Sequence, residues 1–468
     1  MPYPGELANK SSHSDIIRNP DIKAFLDECE YLKPPSEEQG KVMAAFFVTP
    51  PPIDALTLPE HVIAFDGSWY EASFNDYLPA TKVGYIKIGT VLINMDKFKQ
   101  LRDPLTRLVD PFKVAELQNN NSALTFAVPS SNMRLKNRTS VRDSFRAMID
   151  AALIGTNTRF DPNDHKTSLR TTLFYLGALR TGELGTGDPD RIRLHKCPSC
   201  DKGPIDLIDT PDPQFCRFCK EEVFPSDALR IWEEVTEYQS NQASLNRFML
   251  MIENLLPIHY MHYLRQHSLP SLAVTAFFHD GPLAVFGTSA WLHAAIMRYI
   301  HEVNQQLQAA GYPPMLVIGL QKTGQVIDHC TIIDRFIPTN RIFAIQDDYR
   351  YTYIVPGRDP AENGFGSETY YGQDFIFKTP SGRIFVFALP FPFSSKSEVG
   401  PDFSKAKVDF GIYPELPTAL ALIKHFELDL YENSVVPIAL AHRYTAISLK
   451  PGGRVLDLLT KKALESKP

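Results

Sequence analysis

Between residues 272 and 320 the chain reads strand, helix, strand, and that succession limits the fold more than any other feature. Leu272-Ala273-Val274-Thr275-Ala276-Phe277-Phe278 is an unbroken apolar run of strand length, as expected of a strand buried on both faces. An amphipathic segment over 289–310 follows and stops at Gly311, and Met315-Leu316-Val317-Ile318-Gly319-Leu320 is a second apolar run. Strands joined through a helix lie parallel in one sheet, so this part of the chain is α/β. Upstream, Val62-Ile63-Ala64-Phe65 and the β-rich stretch 83–94 predict a hairpin or meander. Further strands are expected at 374–378, 384–389 and 435–440, and helices at 21–29, 140–154 and 246–256.

Cysteine spacing adds a second constraint. Cys197-Pro198-Ser199-Cys200 and Cys216-Arg217-Phe218-Cys219 are two knuckles separated by fifteen residues, while Cys29 and Cys330 stand alone. A two-residue spacer turns both thiolates of a knuckle toward one ion, and four thiolates close a tetrahedral, structural Zn²⁺ site. The pattern is that of a zinc ribbon over about 194–222 in a reducing, cytoplasmic compartment, not of a disulfide framework. The amino terminus lacks the basic patch and apolar core of a secretory signal, and no apolar run reaches membrane-span length, so no membrane partner is expected. A net charge of −6, from 48 basic against 54 acidic residues, argues against bulk coating of nucleic acid but leaves room for a local basic channel. With no G-x-x-x-x-G-K-[ST] motif in the sequence, the chain is not expected to hydrolyse ATP.

One feature occurs twice: an apolar strand running into Asp-Gly, at Phe65-Asp66-Gly67-Ser68 and again at Phe278-His279-Asp280-Gly281. A carboxylate there is held rigidly, and the glycine lets a ligand approach closely. Carboxylates converging from such strand ends suit hard divalent ions, Mg²⁺ or Mn²⁺, of the kind used for in-line phosphodiester hydrolysis. Asp-Gly alone is also ordinary turn chemistry, and spacing does not bring the two together. Asp328-His329 reads as a solvated turn, and Gly364, Gly366 and Gly372 with Tyr370 and Tyr371 as a surface loop, with stacking on DNA the alternative.

Taken in order along the chain, Asp66-Gly67-Ser68, a helix carrying Glu253, Asp280-Gly281-Pro282-Leu283, Gln321-Lys322-Thr323-Gly324 and Ala441-His442-Arg443 resemble the NurA family of DNA-repair nucleases. The resemblance covers roughly 60–95 and 245–450. It implies a ribonuclease H-like mixed sheet flanked by helices, a homodimer, and Mn²⁺- or Mg²⁺-dependent exo- and endonuclease activity on DNA. It also implies a HerA-type hexameric ATPase as partner, in DNA end processing or antiphage defence. Carried over residue by residue, Asp66, Glu253 and Asp280 are expected to hold the metal, with Glu234 and Glu302 as alternatives to Glu253. His442 is expected to bind metal or handle a proton, and Lys322 to neutralise charge on the phosphate. The family's tyrosine, a few residues before the final histidine, is replaced here by Ser434-Val435-Val436, and Tyr431 and Tyr444 are near but not aligned. The chain then divides into a helical arm and linker (1–60), a first nuclease part (61–99), a helical insertion with the zinc ribbon (100–230) and a second nuclease part (231–468). A catalytically dead adaptor that docks the ATPase or holds DNA is the competing reading, and Asp66, Asp280 and His442 are residues such a scaffold does not need.

Overall fold

The computed structural model describes residues 14–29, 34–53, 56–74, 78–100, 121–356, 364–427, 435–447 and 452–465. Twelve strands are described: β1 (His61–Ser73), β2 (Lys82–Asn94), β3 (Asn121–Pro129), β4 (Arg191–Leu194), β5 (Ile205–Ile208), β6 (Gln214–Phe215), β7 (Glu222–Val223), β8 (Thr275–Asp280), β9 (Leu316–Gln321), β10 (Arg341–Ala344), β11 (Gly372–Lys378) and β12 (Ile384–Pro390). Eight of them form one mixed sheet in the order β10-β11-β12-β9-β8-β1-β2-β3. β1, β2 and β3 are an antiparallel meander, and β8 and β9 run parallel to β1 and to each other. That arrangement, three antiparallel strands with two more parallel to the first, is the ribonuclease H-like sheet expected above. β12, β11 and β10 extend it antiparallel beyond β9.

The central strands are apolar on both faces because both are covered. Ile63 and Phe65 join a core with the long helix Gln242–His267 and the helix Leu292–Ala309 on one side. Val62, Ala64, Ala276 and Phe278 face the helices Leu416–Phe426 and Val436–Thr445 on the other. The crossover from β8 to β9 through Leu292–Ala309 is the expected βαβ unit.

Two expectations are corrected. Residues 435–440 are not a strand but the start of the helix Val436–Thr445, with Pro437 in its first turn. Proline donates nothing to a sheet ladder, yet fits a helix start, where the amide has no partner to lose. Within the span read as a helical insertion, residues 121–129 are instead the edge strand β3, paired along β2 from Val83↔Pro129 to Val91↔Asn121. The period-two set Leu124, Phe126 and Val128 carries that strand. Beyond it come the helices Val141–Ile154 and Leu169–Ala178 and then the ribbon. Residues 101–120, 431 and 434 lie outside the described residues. Among the described residues no helix is long and apolar enough to cross a membrane.

Candidate metal centre and cysteine cluster

β1, β8 and β9 are neighbours running in one direction, and β8 and β9 end beside the middle of β1, which does not stop at Asp66-Gly67 as expected but continues along β2 to Ser73. Side chains alternate along a strand, so Val62, Ala64 and Asp66 share the face that also carries Ala276, Phe278 and Asp280. The ladder sets Phe65 against His279 and Asp280 against Leu320, which brings Lys322, just past β9, to the same edge. Lys322 Nζ lies 2.6 Å from Asp280 Oδ2 and 3.9 Å from Asp66 Oδ1. The helix Val436–Thr445 crosses above and puts His442 Nδ1 at 3.4 Å from Asp66 Oδ2. One ligand-capable atom each from Asp66, Asp280 and His442 falls within a 4.8 Å span. The histidine, expected at a strand end, therefore reaches the cluster from a helix.

Glu253 approaches from the opposite layer and is not among the ligand atoms that fall within 4.8 Å of one another. It sits on the long helix Gln242–His267, is buried, and its carboxylate accepts a hydrogen bond from the Gly67 amide. Gly67 is what makes room: a Cβ there would stand 2.8 Å from Glu253 Oε1 and 2.7 Å from Ile88 Cδ1. Gly67→Ala is accordingly expected to destabilise the protein by about 1–3 kcal/mol through overpacking and to displace Glu253, seen as a lower melting temperature together with weaker Mn²⁺ binding. The two alternatives to Glu253 are engaged elsewhere, Glu234 with Arg247 at 3.1 Å and Glu302 with Tyr175 at 3.2 Å.

Three buried or nearly buried carboxylates face one lysine, and their electrostatics record the surplus of negative charge. Burial, followed by the charges of Asp66 and Asp280, pushes the Glu253 carboxyl well above its ordinary value. Burial, and then the hydrogen bond with Asp66, raises Asp280 to about 7. Burial and the nearby Lys322 lower His442, leaving the imidazole neutral at neutral pH and able to accept a cation or a proton. A divalent cation relieves this crowding, so the donor set fits a hard metal ion.

A pH dependence follows for metal-free protein. Asp280 titrates near 4 when unfolded and at about 7 when folded, so the native state binds the extra proton between those values. Stability in chelator is thus expected to be highest at the acid end of that window and to fall as pH rises through 7. Saturating Mn²⁺ should reverse the trend, because ligands must lose their protons to bind metal. Thermal melts across that range, with and without the ion, check both signs.

The four paired cysteines also converge. Cys197 Sγ lies 3.7 Å from Cys219 Sγ and Cys200 Sγ 3.9 Å from Cys216 Sγ, with all four sulfurs inside 4.8 Å. A tetrahedral ion at about 2.3 Å from each sulfur has S···S edges of about 3.8 Å, so the cluster fits a metal ion. Backbone amides of Ser199 and Phe218 donate to Cys197 and Cys216 at 3.4 Å, and Asp201 and Lys220 take the positive φ that closes each knuckle. The β4–β5 and β6–β7 hairpins carry the knuckles. Buried Arg146–Asp227 and Arg170–Asp209 pairs tie this region to the helices Val141–Ile154 and Leu169–Ala178.

Two other readings change. Asp328 and His329 lie in the helix Gln325–Ile333 rather than a turn, with His329 buried and its Nε2 at 2.8 Å from the Tyr349 hydroxyl. Tyr371 is buried and donates to Asn254 Oδ1 at 3.2 Å, and Tyr370 packs on Phe286 and Phe365, so these rings support the core instead of offering a stacking platform. Sequence reasoning missed one member of the cluster, Thr445, whose hydroxyl donates to Asp66 Oδ2. Its spacing of three from His442 is the signal, visible once 436–445 is read as a helix.

No protein-family model matches the chain, and no curated protein does. Among solved structures, the NurA nuclease from Sulfolobus solfataricus is similar over 98% of this chain and 98% of its own, at 8% identity and a TM-score of 0.38. A second solved structure, of NurA, is similar over 98% of each chain at 11% identity and a TM-score of 0.27. What the site can do is read from its own side chains.

Proposed function

We propose that this chain is a metal-dependent DNA nuclease of the NurA type. The observation that carries the reading is the meeting of Asp66, Asp280 and His442 ligand atoms within 4.8 Å, where β8 ends beside the middle of β1, with Lys322 at 2.6 Å from Asp280. Mn²⁺ or Mg²⁺ is the proposed ion, with Glu253 as a further carboxylate near it. When bound, the ion supplies positive charge to the phosphate and acidifies the attacking water. The chain's own groups supply the rest. Lys322, already on Asp280, stabilises negative charge gathering on the phosphate. Neutral His442, half-exposed at the edge of the cluster, either gives its ring nitrogen to the ion or takes and returns a proton. Asp66 and Asp280, held on rigid strands, keep the donor set in place without reorganisation.

Zn²⁺ is the proposed occupant of the four-cysteine cluster, in a structural role because protein ligands fill all four positions. A HerA-type hexameric ATPase, a homodimeric state, and service in end processing or antiphage defence belong to the same reading. The adaptor alternative uses the fold and the ribbon but leaves the acid cluster without a purpose. Cleavage of linear duplex and single-stranded DNA, with Mn²⁺, Mg²⁺ or chelator and with and without such an ATPase, tests the proposal. Metal-dependent cutting supports it; no cutting by folded, zinc-loaded protein with the ATPase present favours the adaptor.

A further inference from the structure

Thr445 closes the helix Val436–Thr445 and projects from the same side as His442, three residues earlier. Its hydroxyl faces three acceptors: Asp66 Oδ2, Ala441 O at 3.1 Å and His442 O at 3.1 Å. A hydroxyl has one proton to give, and Asp66 Oδ2 is the nearest of the three acceptors, so the proton goes to Asp66. Strand β2 makes the approach possible. Gly89 stands opposite Asp66 in the β1–β2 ladder, and a Cβ there would lie 2.6 Å from Thr445 Cγ2 and 3.1 Å from the Tyr444 ring. Two residues away on the same face, Lys87 donates to Tyr444 O at 2.6 Å and lies 4.4 Å from the Tyr444 ring centre. The last turn of the helix is thereby seated on β2.

The consequence falls on Asp66. A carboxylate rotates readily about its terminal torsion, which has only a broad two-fold preference. Here Oδ2 is held by Thr445 and faces His442 at 3.4 Å, while Oδ1 turns toward Lys322 at 3.9 Å. We propose that Thr445, seated against Gly89, is a positioning residue that fixes the Asp66 carboxylate for metal binding. It acts through Asp66 and not on the substrate. The inference rests on reading the acid cluster as a divalent-metal centre.

Mn²⁺ binding to the full chain, followed by calorimetry and by the electron paramagnetic resonance of the ion, tests it apart from activity. Thr445→Val keeps the branched shape and deletes the hydroxyl; Thr445→Ala serves if valine disturbs the packing. Either is expected to weaken Mn²⁺ binding by about 10- to 100-fold, the usual range for a lost partner of a metal ligand, and to alter the spectrum of the bound ion. Thr445→Ser, which restores the hydroxyl, is expected to recover most of the affinity and the wild-type spectrum. Cleavage should follow the Mn²⁺ affinity, with added ion restoring the rate. Wild-type affinity in a folded hydroxyl-less variant, or no recovery with serine, overturns the positioning role while Asp66→Asn still abolishes binding. Undiminished Mn²⁺ binding in Asp66→Asn overturns the metal-centre reading itself.

Discussion

Asp66→Ala is expected to lower Mn²⁺-dependent DNA cleavage by about a thousandfold or more, corresponding to about 4 kcal/mol of lost transition-state stabilisation. Asp66 is the junction of the cluster: it faces Lys322, His442 and Thr445 and shares a hydrogen bond with Asp280. Removing it takes away a metal ligand and the acceptor on which the C-terminal helix is fastened. Single-turnover cleavage at saturating DNA and raised Mn²⁺ separates the two effects. Loss that persists under both conditions places Asp66 at the chemistry, whereas recovery with added ion reduces its role to affinity. Glu253→Gln gives the companion control. Its carboxyl is held well above the ordinary range by burial, so the amide resembles the protonated form and the fold in chelator should be little changed. An Asp66→Ala protein that cuts as fast as wild type would remove Asp66 from the mechanism.

Stripping the cysteine-bound metal, or replacing Cys216 with serine, is expected to unfold the ribbon and lower the stability of everything packed on it. Cys197 and Cys216 are fully buried and belong to the same core as Leu173, Leu194, Val223 and Leu229. Four sulfurs drawn inside 4.8 Å can all ionise together only with a cation between them, and the metal-free thiols of Cys197, Cys200 and Cys219 stay above their ordinary value. Structural Zn²⁺ contributes on the order of 10 kcal/mol of apparent binding free energy in small zinc modules, far more than a typical point substitution removes. Limited proteolysis between 191 and 223, with and without a zinc-specific chelator, reads the outcome, and metal analysis of the purified protein should return one Zn²⁺ per chain. Unchanged protease resistance after complete metal removal would rule out a structural zinc.

Much of the central sheet could be read before folding, because strands buried on both faces show it as continuous apolar runs: Val62-Ile63-Ala64-Phe65, Ala276-Phe277-Phe278 and Leu316-Val317-Ile318. The repeated Asp-Gly pointed to the acid cluster because an aspartate next to an apolar run has few places to go; β8 does end at Asp280, but β1 runs on past Asp66 to Ser73. Val435-Val436 misled because β-branched residues are as much at home in a strand, and the weight of Pro437 was missed. Thr445 was invisible for a related cause. Its partner lies 379 residues away, and only a helix, not a strand, turns it toward His442's side. The Asn121–Pro129 edge strand was lost in a span whose neighbours read as helical, although Leu124, Phe126 and Val128 keep period two.

The order in which the chain leaves the ribosome bears on the acid cluster. Asp66 is made early, Asp280 needs the whole intervening insertion before β8 can pair beside β1, and His442 and Thr445 come from the penultimate described helix. Contacts of such long sequence separation form late. A chain that stops short of residue 442, whether nascent, degraded or truncated by a frameshift, has the sheet but not the helix that completes the donor set. On the proposed reading the centre is armed only once the chain has been made past Thr445, so products cut off before it carry no complete donor set.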